Sequence, residues 1–115
     1  MKDCIFCKIV KGESPSRVRG ETKNVIAFDS IAPVSEHHIL LVPKKHFGTF
    51  LDIKKGHRDL FMEMAKLAQE LIKKNKISGG YRLVVNGGKY QAIDHFHWHL
   101  LGGKLEDEAD IVNKT

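Results

Sequence analysis

Three histidines alternate with bulky apolar residues in the segment His95-Phe96-His97-Trp98-His99. Side chains alternate between the two faces of a β-strand, so the pattern predicts a strand with the imidazoles on one face and with Phe96 and Trp98 buried on the other. Neighbouring imidazoles would then lie roughly 6.5–7 Å apart, which lets two rings flank one phosphate group. Imidazole is a nucleophile near pH 7 and also a zinc ligand, and both kinds of chemistry stay open on this evidence.

The two cysteines of the chain form a second candidate group, Cys4-x-x-Cys7. In a cytosolic protein such a pair more often binds a metal or is redox-active than forms a structural disulfide. Its spacing suits one half of a tetrahedral zinc site, which needs two further ligands.

The composition predicts one globular domain over residues 1–115, with 42% hydrophobic and 29% charged residues. No apolar run approaches the roughly 20 residues of a membrane span, and the N-terminus has no signal-peptide pattern, so we expect a cytoplasmic protein without membrane contact. The net charge of +5 is compatible with an anionic ligand. The lysines are scattered in pairs, however, which favours a solvated surface over nucleic-acid binding.

The elements that must position these side chains follow from periodicity and turn residues. A long helix is expected over residues 54–75, where apolar residues recur at steps of three and four. The other expected elements are a short helix at 4–10, strands at 25–28, 38–42, 81–85 and 96–101, a helical turn at about 47–51, and an irregular arm from Lys104. This order predicts an α+β fold with an antiparallel or mixed sheet.

The segment His95–Leu101 resembles the signature of the histidine-triad (HIT) superfamily, His-φ-His-φ-His-φ-φ, in which φ is apolar. The resemblance covers about residues 3–103. The chain is similar above all to the Hint branch, the histidine-triad nucleotide-binding proteins. Further matching segments are Ile5-Phe6-Cys7-Lys8-Ile9, Ala27-Phe28, His38-Ile39-Leu40-Leu41-Val42-Pro43-Lys44-Lys45-His46, Val85-Asn86 and Leu101-Gly102-Gly103.

The resemblance implies a fold, an assembly and a reaction. The fold is α+β, with a five-stranded antiparallel sheet, one long helix and a short N-terminal helix, and the assembly is a homodimer with a joined sheet. The reaction is hydrolysis at the α-phosphorus of a purine nucleoside phosphoramidate or a related conjugate, releasing a nucleoside monophosphate such as AMP. A nucleophilic imidazole and fixed donors suffice for this chemistry, so no catalytic metal is expected.

The resemblance also implies the roles of individual residues. His97 resembles the nucleophile, His99 the histidine that contacts the phosphate and assists the leaving group, His38 an additional active-site histidine, and Asn86 the amide donor to the phosphate. The nucleotide-binding positions that it implies are Phe6, Phe28, Asp29, Ser30, Ile31, Asn86, His97 and His99.

A structural zinc is implied by the relatives that carry a Cys-x-x-Cys pair. In them the other two ligands resemble His46 and His95, so the expected set is Cys4, Cys7, His46 and His95. The ring of His95 would then be turned to metal rather than to substrate. An alternative function stays open, namely a zinc-bearing module that binds nucleotide without significant turnover.

This chain departs from the Hint pattern at three places. The loop of residues 86–91 is shorter, Ala92 replaces a serine that bonds the phosphate, and Ser30 replaces a ribose-binding aspartate. We expect Asp29 to substitute for that aspartate through a shifted register. The segment after Gly103 also lacks the usual proline-rich ending with a tryptophan.

Overall fold

The computed structural model describes residues 4–105. The helices are α1 (Ile5–Val10) and α2 (Arg58–Lys74), and the strands are β1 (Val18–Glu21), β2 (Val25–Asp29), β3 (Ser35–Pro43), β4 (Tyr81–Val84) and β5 (Trp98–Leu105). The strands form one antiparallel sheet in the order β1-β2-β3-β5-β4. The predicted α+β fold, with five strands, one long helix and a short N-terminal helix, is therefore confirmed. No helix within residues 4–105 is long and apolar enough to cross a bilayer.

Helix α2 covers one face of the sheet because its apolar residues recur on one side. Met64, Leu67, Ala68 and Leu71 are buried against the inward residues of the central strands. Glu63 fixes the helix to the β1–β2 turn, since its carboxylate accepts hydrogen bonds from the Thr22 hydroxyl and from the backbone and side chain of Asn24. These bonds lower the pKa of Glu63.

The opposite face of the sheet is covered near its centre by α1. Phe6 of this helix is buried with alternate residues of β2 and β3, which are Ile26, Phe28, Leu40 and Val42. The two helices thus lie on opposite faces. Register places Leu40 of β3 directly opposite His99 of β5, so His99 lies on the α1 face.

The last strand differs from the prediction of residues 96–101. It begins at Trp98 and continues through Gly102-Gly103 to Leu105. Gly102 does not end the strand. Its role is to make room for the Ile77 side chain, with which a Cβ atom at this position would collide. Phe96 is buried as predicted, whereas Trp98 is half-buried and stacks on Phe61 with ring centroids 6.2 Å apart. Residues 106–115 of the predicted C-terminal arm lie outside the described residues.

Two further elements differ from prediction. Strand β1 was not expected, because Val18-Arg19-Gly20-Glu21 is an edge segment whose charged residues hide any apolar alternation. The long helix begins later than residue 54, since Lys55–His57 forms a 3₁₀ turn before α2 starts at Arg58.

Candidate active site and cysteine–histidine cluster

His97 is held by a backbone group of the residue two positions before it. Its Nδ1 lies 2.8 Å from the carbonyl oxygen of His95. A carbonyl can only accept, so Nδ1 carries the proton and donates, and the neutral ring keeps its lone pair on Nε2. The side chain is buried, with 3% of its surface exposed. This tautomer is the one a nucleophilic imidazole needs if Nε2 is to attack.

His38 and His99 form a chain of hydrogen bonds that begins at a backbone amide. The N–H of Val34 donates to His38 Nδ1 at 3.1 Å, and His38 Nε2 lies 2.9 Å from His99 Nδ1. Because the amide can only donate, His38 accepts at Nδ1 and must carry its proton on Nε2, which donates to His99. The proton of a neutral His99 then resides on Nε2.

Asn86 lies close to His99, where this chain ends. Its Nδ2 lies 3.5 Å from His99 Nε2, and the rings of His97 and His99 are 4.9 Å apart between centroids. The structure therefore brings together the four predicted catalytic residues. With the tautomer assigned above, Asn86 Nδ2 and His99 Nε2 both carry hydrogen, so both are donors to a ligand rather than to each other. Such a group of one nucleophile and adjacent donors can attack and stabilise a phosphoryl centre.

The expected base-binding residues divide into buried and exposed ones. Phe6 and Phe28 are 4% and 2% exposed and contact each other edge to face at 5.4 Å. Phe6 also contacts the His97 ring, with centroids 5.1 Å apart and planes at 87°. Ile31 is 98% exposed, which makes it an apolar side chain available to a ligand.

The ribose-binding candidates adopt different orientations. Asp29 pairs in register with Ile39, which faces α2, so its side chain lies on the face opposite His99. Its carboxylate pairs with Arg19 at 3.1 Å and with Arg17 at 3.6 Å. Ser30 is buried, and its hydroxyl accepts a hydrogen bond from the Ala32 amide at 3.1 Å. Asp29 is thus not brought to the histidines.

The second predicted set, Cys4, Cys7, His46 and His95, converges in space. One ligand atom from each residue lies within 4.8 Å of the others. Cys4 Sγ is 3.3 Å from His95 Nδ1, and Cys7 Sγ is 3.3 Å from His46 Nδ1 and 3.6 Å from His95 Nδ1. Tetrahedral zinc at about 2.3 Å from sulfur and about 2.05 Å from nitrogen implies S···N separations of roughly 3.5 Å. The four donors fit such an ion in both composition and spacing.

His95 has the tautomer that a metal ligand requires. Its Nε2 lies 2.7 Å from the Pro43 carbonyl and therefore carries the proton, which leaves the Nδ1 lone pair directed at the sulfurs. Burial lowers the pKa of His95 to about 4, so the ring is neutral at pH 7. Burial, together with a hydrogen bond that the thiol donates to Cys4, raises the pKa of Cys7. A cation here would favour the thiolate.

Several contributions to the site could not be read from the sequence. The orienting groups of Val34, Pro43 and His95 belong to the backbone, which has no residue-specific signal. Gln91 was also missed: its side-chain amide donates to the carbonyls of Gly48 and Ile93 at 2.7 and 2.9 Å and so ties together the segments that follow His46 and precede His95. A polar residue between two predicted ligand segments is the one hint that sequence offered.

Known proteins resemble this chain over nearly its whole length. A family model described as "Scavenger mRNA decapping enzyme C-term binding" matches residues 3–115. The adenosine 5'-monophosphoramidase HNT1 of Candida albicans is 37% identical over 112 residues, which cover 92% of this chain and 72% of that protein.

Solved structures agree with the sequence matches. A histidine triad protein from Clostridium difficile superposes with a TM-score of 0.87 at 36% identity, covering 94% of this chain and 96% of that one. A HIT family hydrolase from Clostridium thermocellum superposes with a TM-score of 0.86 at 36% identity, covering 90% and 92% of the two chains.

Proposed function

The chain belongs to the histidine-triad superfamily, and on that premise we propose that it hydrolyses purine nucleoside phosphoramidates or related nucleotide conjugates through a nucleotidyl-His97 intermediate. The observation that carries the proposal is the tautomer of His97, because its Nδ1–H is bonded to the His95 carbonyl and its Nε2 is left as a nucleophile. The phosphoramidase name of the Candida albicans relative supports the choice of substrate class.

In the first step, His97 Nε2 attacks the α-phosphorus and the bond from phosphorus to the leaving nitrogen breaks. The electron pair of that bond goes to the amine, which takes a proton from solvent while the Nε2–H of His99 donates a hydrogen bond to the leaving nitrogen. The donor bond from His38 stabilises His99 in the orientation that presents this proton. Asn86, beside His99 Nε2, donates to the phosphoryl oxygen on which negative charge develops.

In the second step, a water molecule attacks the phosphorus of the nucleotidyl-imidazole. The attacking water loses a proton to solvent, and the bond between phosphorus and His97 Nε2 breaks with its electron pair returning to the ring. A nucleoside monophosphate leaves, and both histidines regain their starting protonation. The cycle needs no metal at the reacting phosphorus, since the nucleophile is an imidazole and the N–H groups of His99 and Asn86 are donors to the leaving group and the phosphate.

The nucleoside would lie against the α1 face of the sheet. Phe6 and Phe28 pack on each other beneath that face at 4% and 2% exposure, and the exposed Ile31 supplies the contact that can close over a purine base. With Asp29 paired to two arginines on the other face, Ser30 is the nearer candidate for ribose contact, through its hydroxyl. The missing carboxylate and the alanine at position 92 predict weaker ribose and phosphate binding than a Hint protein with both groups.

The cysteine–histidine cluster would hold one structural zinc ion. Its ligands would be Cys4, Cys7, His46 and His95, which join α1 to the ends of β3 and of the segment before β5. Zinc with four protein ligands has no open position for substrate, so it would stabilise the fold rather than react. His95 contributes its ring to this site and its carbonyl to His97, which separates the first triad histidine from the substrate.

The two edge strands of the sheet, β1 and β4, differ in a way that favours a homodimer formed along β4. The β1 edge carries Arg19 and Glu21 and a register irregularity, which are features that prevent strand addition. The β4 edge instead exposes Tyr81, Leu83 and Val85, at 49%, 46% and 41% of their surfaces. An apolar edge of this kind is stabilised by pairing with a second copy.

Incubation with adenosine 5'-phosphoramidate tests the proposed reaction. The wild-type protein should release AMP in a chelator-treated reaction mixture, and His97→Ala should release none while still binding AMP in a titration. His57→Ala is the matched control, because His57 is a half-buried histidine that packs on Phe47, away from the four catalytic residues. AMP binding by the wild type without turnover would instead support the zinc-bearing binding module.

A further inference from the structure

We propose that Phe6 is a positioning residue for His97 and that it couples the cysteine–histidine cluster to the rate of the chemical step. The inference rests on the proposed function, since it concerns the nucleophile of that reaction. It assigns Phe6 a role through His97 that differs from contact with a purine base, and it makes the cluster more than a stabiliser of the fold.

The first argument is the environment of the Phe6 ring. Its edge-to-face partners are His97 at 5.1 Å, His95 at 5.8 Å and Phe28 at 5.4 Å. With 4% of its surface exposed, Phe6 has little surface to offer a base, whereas Ile31 is 98% exposed. The contacts of Phe6 are therefore mainly with the site itself.

The second argument concerns what fixes the His97 ring. The hydrogen bond from Nδ1 to the His95 carbonyl sets the tautomer, and the rings of Phe6 and His99 pack on the His97 ring with centroids 5.1 and 4.9 Å away. The Phe6 ring stands at 87° to the His97 plane, so this edge-to-face contact opposes a tilt of the His97 ring. An attacking nitrogen must be aligned with the phosphorus, and small displacements from a productive geometry lower the rate substantially.

The third argument is that α1 cannot hold Phe6 in place alone. The helix has six residues, far fewer than an isolated helix needs in water. Phe6 lies between Cys4 and Cys7, whose sulfurs contact His95 and His46. Whatever joins these four donors also seats the Phe6 ring against His97. A metal ion at the cluster would act on catalysis through this ring and through the His95 carbonyl.

Steady-state kinetics of Phe6→Leu test the assignment. We expect kcat to fall roughly 3- to 10-fold, the equivalent of one lost aromatic contact, with KM nearly unchanged. The control is Ile26→Ala, which removes a similarly buried side chain from the same cluster and should lower thermal stability without lowering kcat. A Phe6→Leu variant with a raised KM and a wild-type kcat would overturn the proposal and assign Phe6 to base binding.

Metal removal supplies the second arm of the experiment. Chelation should lower the kcat of the wild type by a similar factor and change the kcat of Phe6→Leu by much less. Metal removal and the loss of the Phe6 ring both remove the same support of the His97 ring. Independent, multiplicative losses would refute the coupling.

A readout without substrate separates this proposal from the proposed reaction. Proton–nitrogen correlation spectra of His97 should show one ordered ring with a protonated Nδ1 in the metal-loaded wild type. We expect line broadening or shifted nitrogen resonances in Phe6→Leu and after chelation, and unchanged resonances in Ile26→Ala. Identical His97 spectra in Phe6→Leu and wild type would overturn the positioning role even if turnover is never found, whereas altered spectra without turnover would leave it standing and refute the reaction alone.

Discussion

Two substitutions of His38 separate its two hydrogen bonds. The amide oxygen of Asn in His38→Asn can replace Nδ1 as the acceptor of the Val34 N–H, but it leaves His99 Nδ1 without its donor. The longer side chain in His38→Gln can replace Nε2 as the donor to His99 and leaves the Val34 amide without its acceptor. His38 and His99 are buried, with 4% and 2% of their surfaces exposed. Each variant therefore creates one unsatisfied buried group.

The magnitudes follow from this symmetry. Each variant should lose about 1–3 kcal/mol of unfolding free energy, the cost of one unsatisfied buried polar group. Activity should differ between the variants. In His38→Asn nothing fixes the tautomer that puts N–H on His99 Nε2, so kcat should fall about 100-fold or more, whereas His38→Gln keeps this tautomer. Chemical denaturation and turnover of adenosine 5'-phosphoramidate measure the two quantities. Equal losses of kcat in both variants, or no loss in His38→Asn, would refute the proposed chain from Val34 to His99.

Four other predictions address the metal, the assembly and the fold. Protein purified without chelator should contain close to one zinc ion per chain and Cys7→Ser much less; a wild-type content below about 0.2 zinc would contradict the site. Sedimentation should show a dimer at micromolar concentration and a monomer for Leu83→Lys, which charges the β4 edge, whereas a monomeric wild type would contradict the edge pairing. Lys76 has a positive φ of 57° after α2, so Lys76→Gly should raise the unfolding free energy by about 1 kcal/mol, and a lower melting temperature would show that the backbone there is not strained. The pKa of Glu63 is lowered below its ordinary 4.5 in the fold, so its contribution is complete above that pH and is lost as pH falls through the folded value; the stability difference from Glu63→Gln should shrink accordingly in acid, and a pH-independent difference would count against the Thr22 and Asn24 bonds.

The proximity of the candidate histidines was predictable because its signal lies in residue types. The alternation of His95, His97 and His99 placed His97 and His99 in contact, even though β5 itself begins only at Trp98. The periodicity of α2 was equally readable, because its buried residues recur every three or four positions. The α2 pattern reflects a single buried face, which is a strong signal in a sequence. The histidine segment is buried on both faces, so its signal is the residue type rather than polarity.

What could not be predicted depends on neighbours distant in sequence. Strand β1 is defined by its pairing with β2 rather than by its own apolar pattern. The continuation of β5 through Gly102 follows from the pairing of this residue with His37 of β3 and Tyr81 of β4, which no local rule reveals. Asp29 was expected to reach the ribose, but register with Ile39 turns it toward α2 and its two arginines. A shift of one residue exchanges the faces of a strand, so such a side chain is placed only by the sheet.

The central claim is that His97 carries the nucleotide during turnover. A rapid-quench reaction of the wild-type protein with excess adenosine 5'-phosphoramidate, followed by intact-protein mass spectrometry, tests it directly. We predict a transient adduct with the mass of one adenylyl group, located on His97 by peptide mapping and absent from His97→Ala. Release of AMP at the full rate with no adduct at any quench time, or an adduct that persists in His97→Ala, would contradict the account.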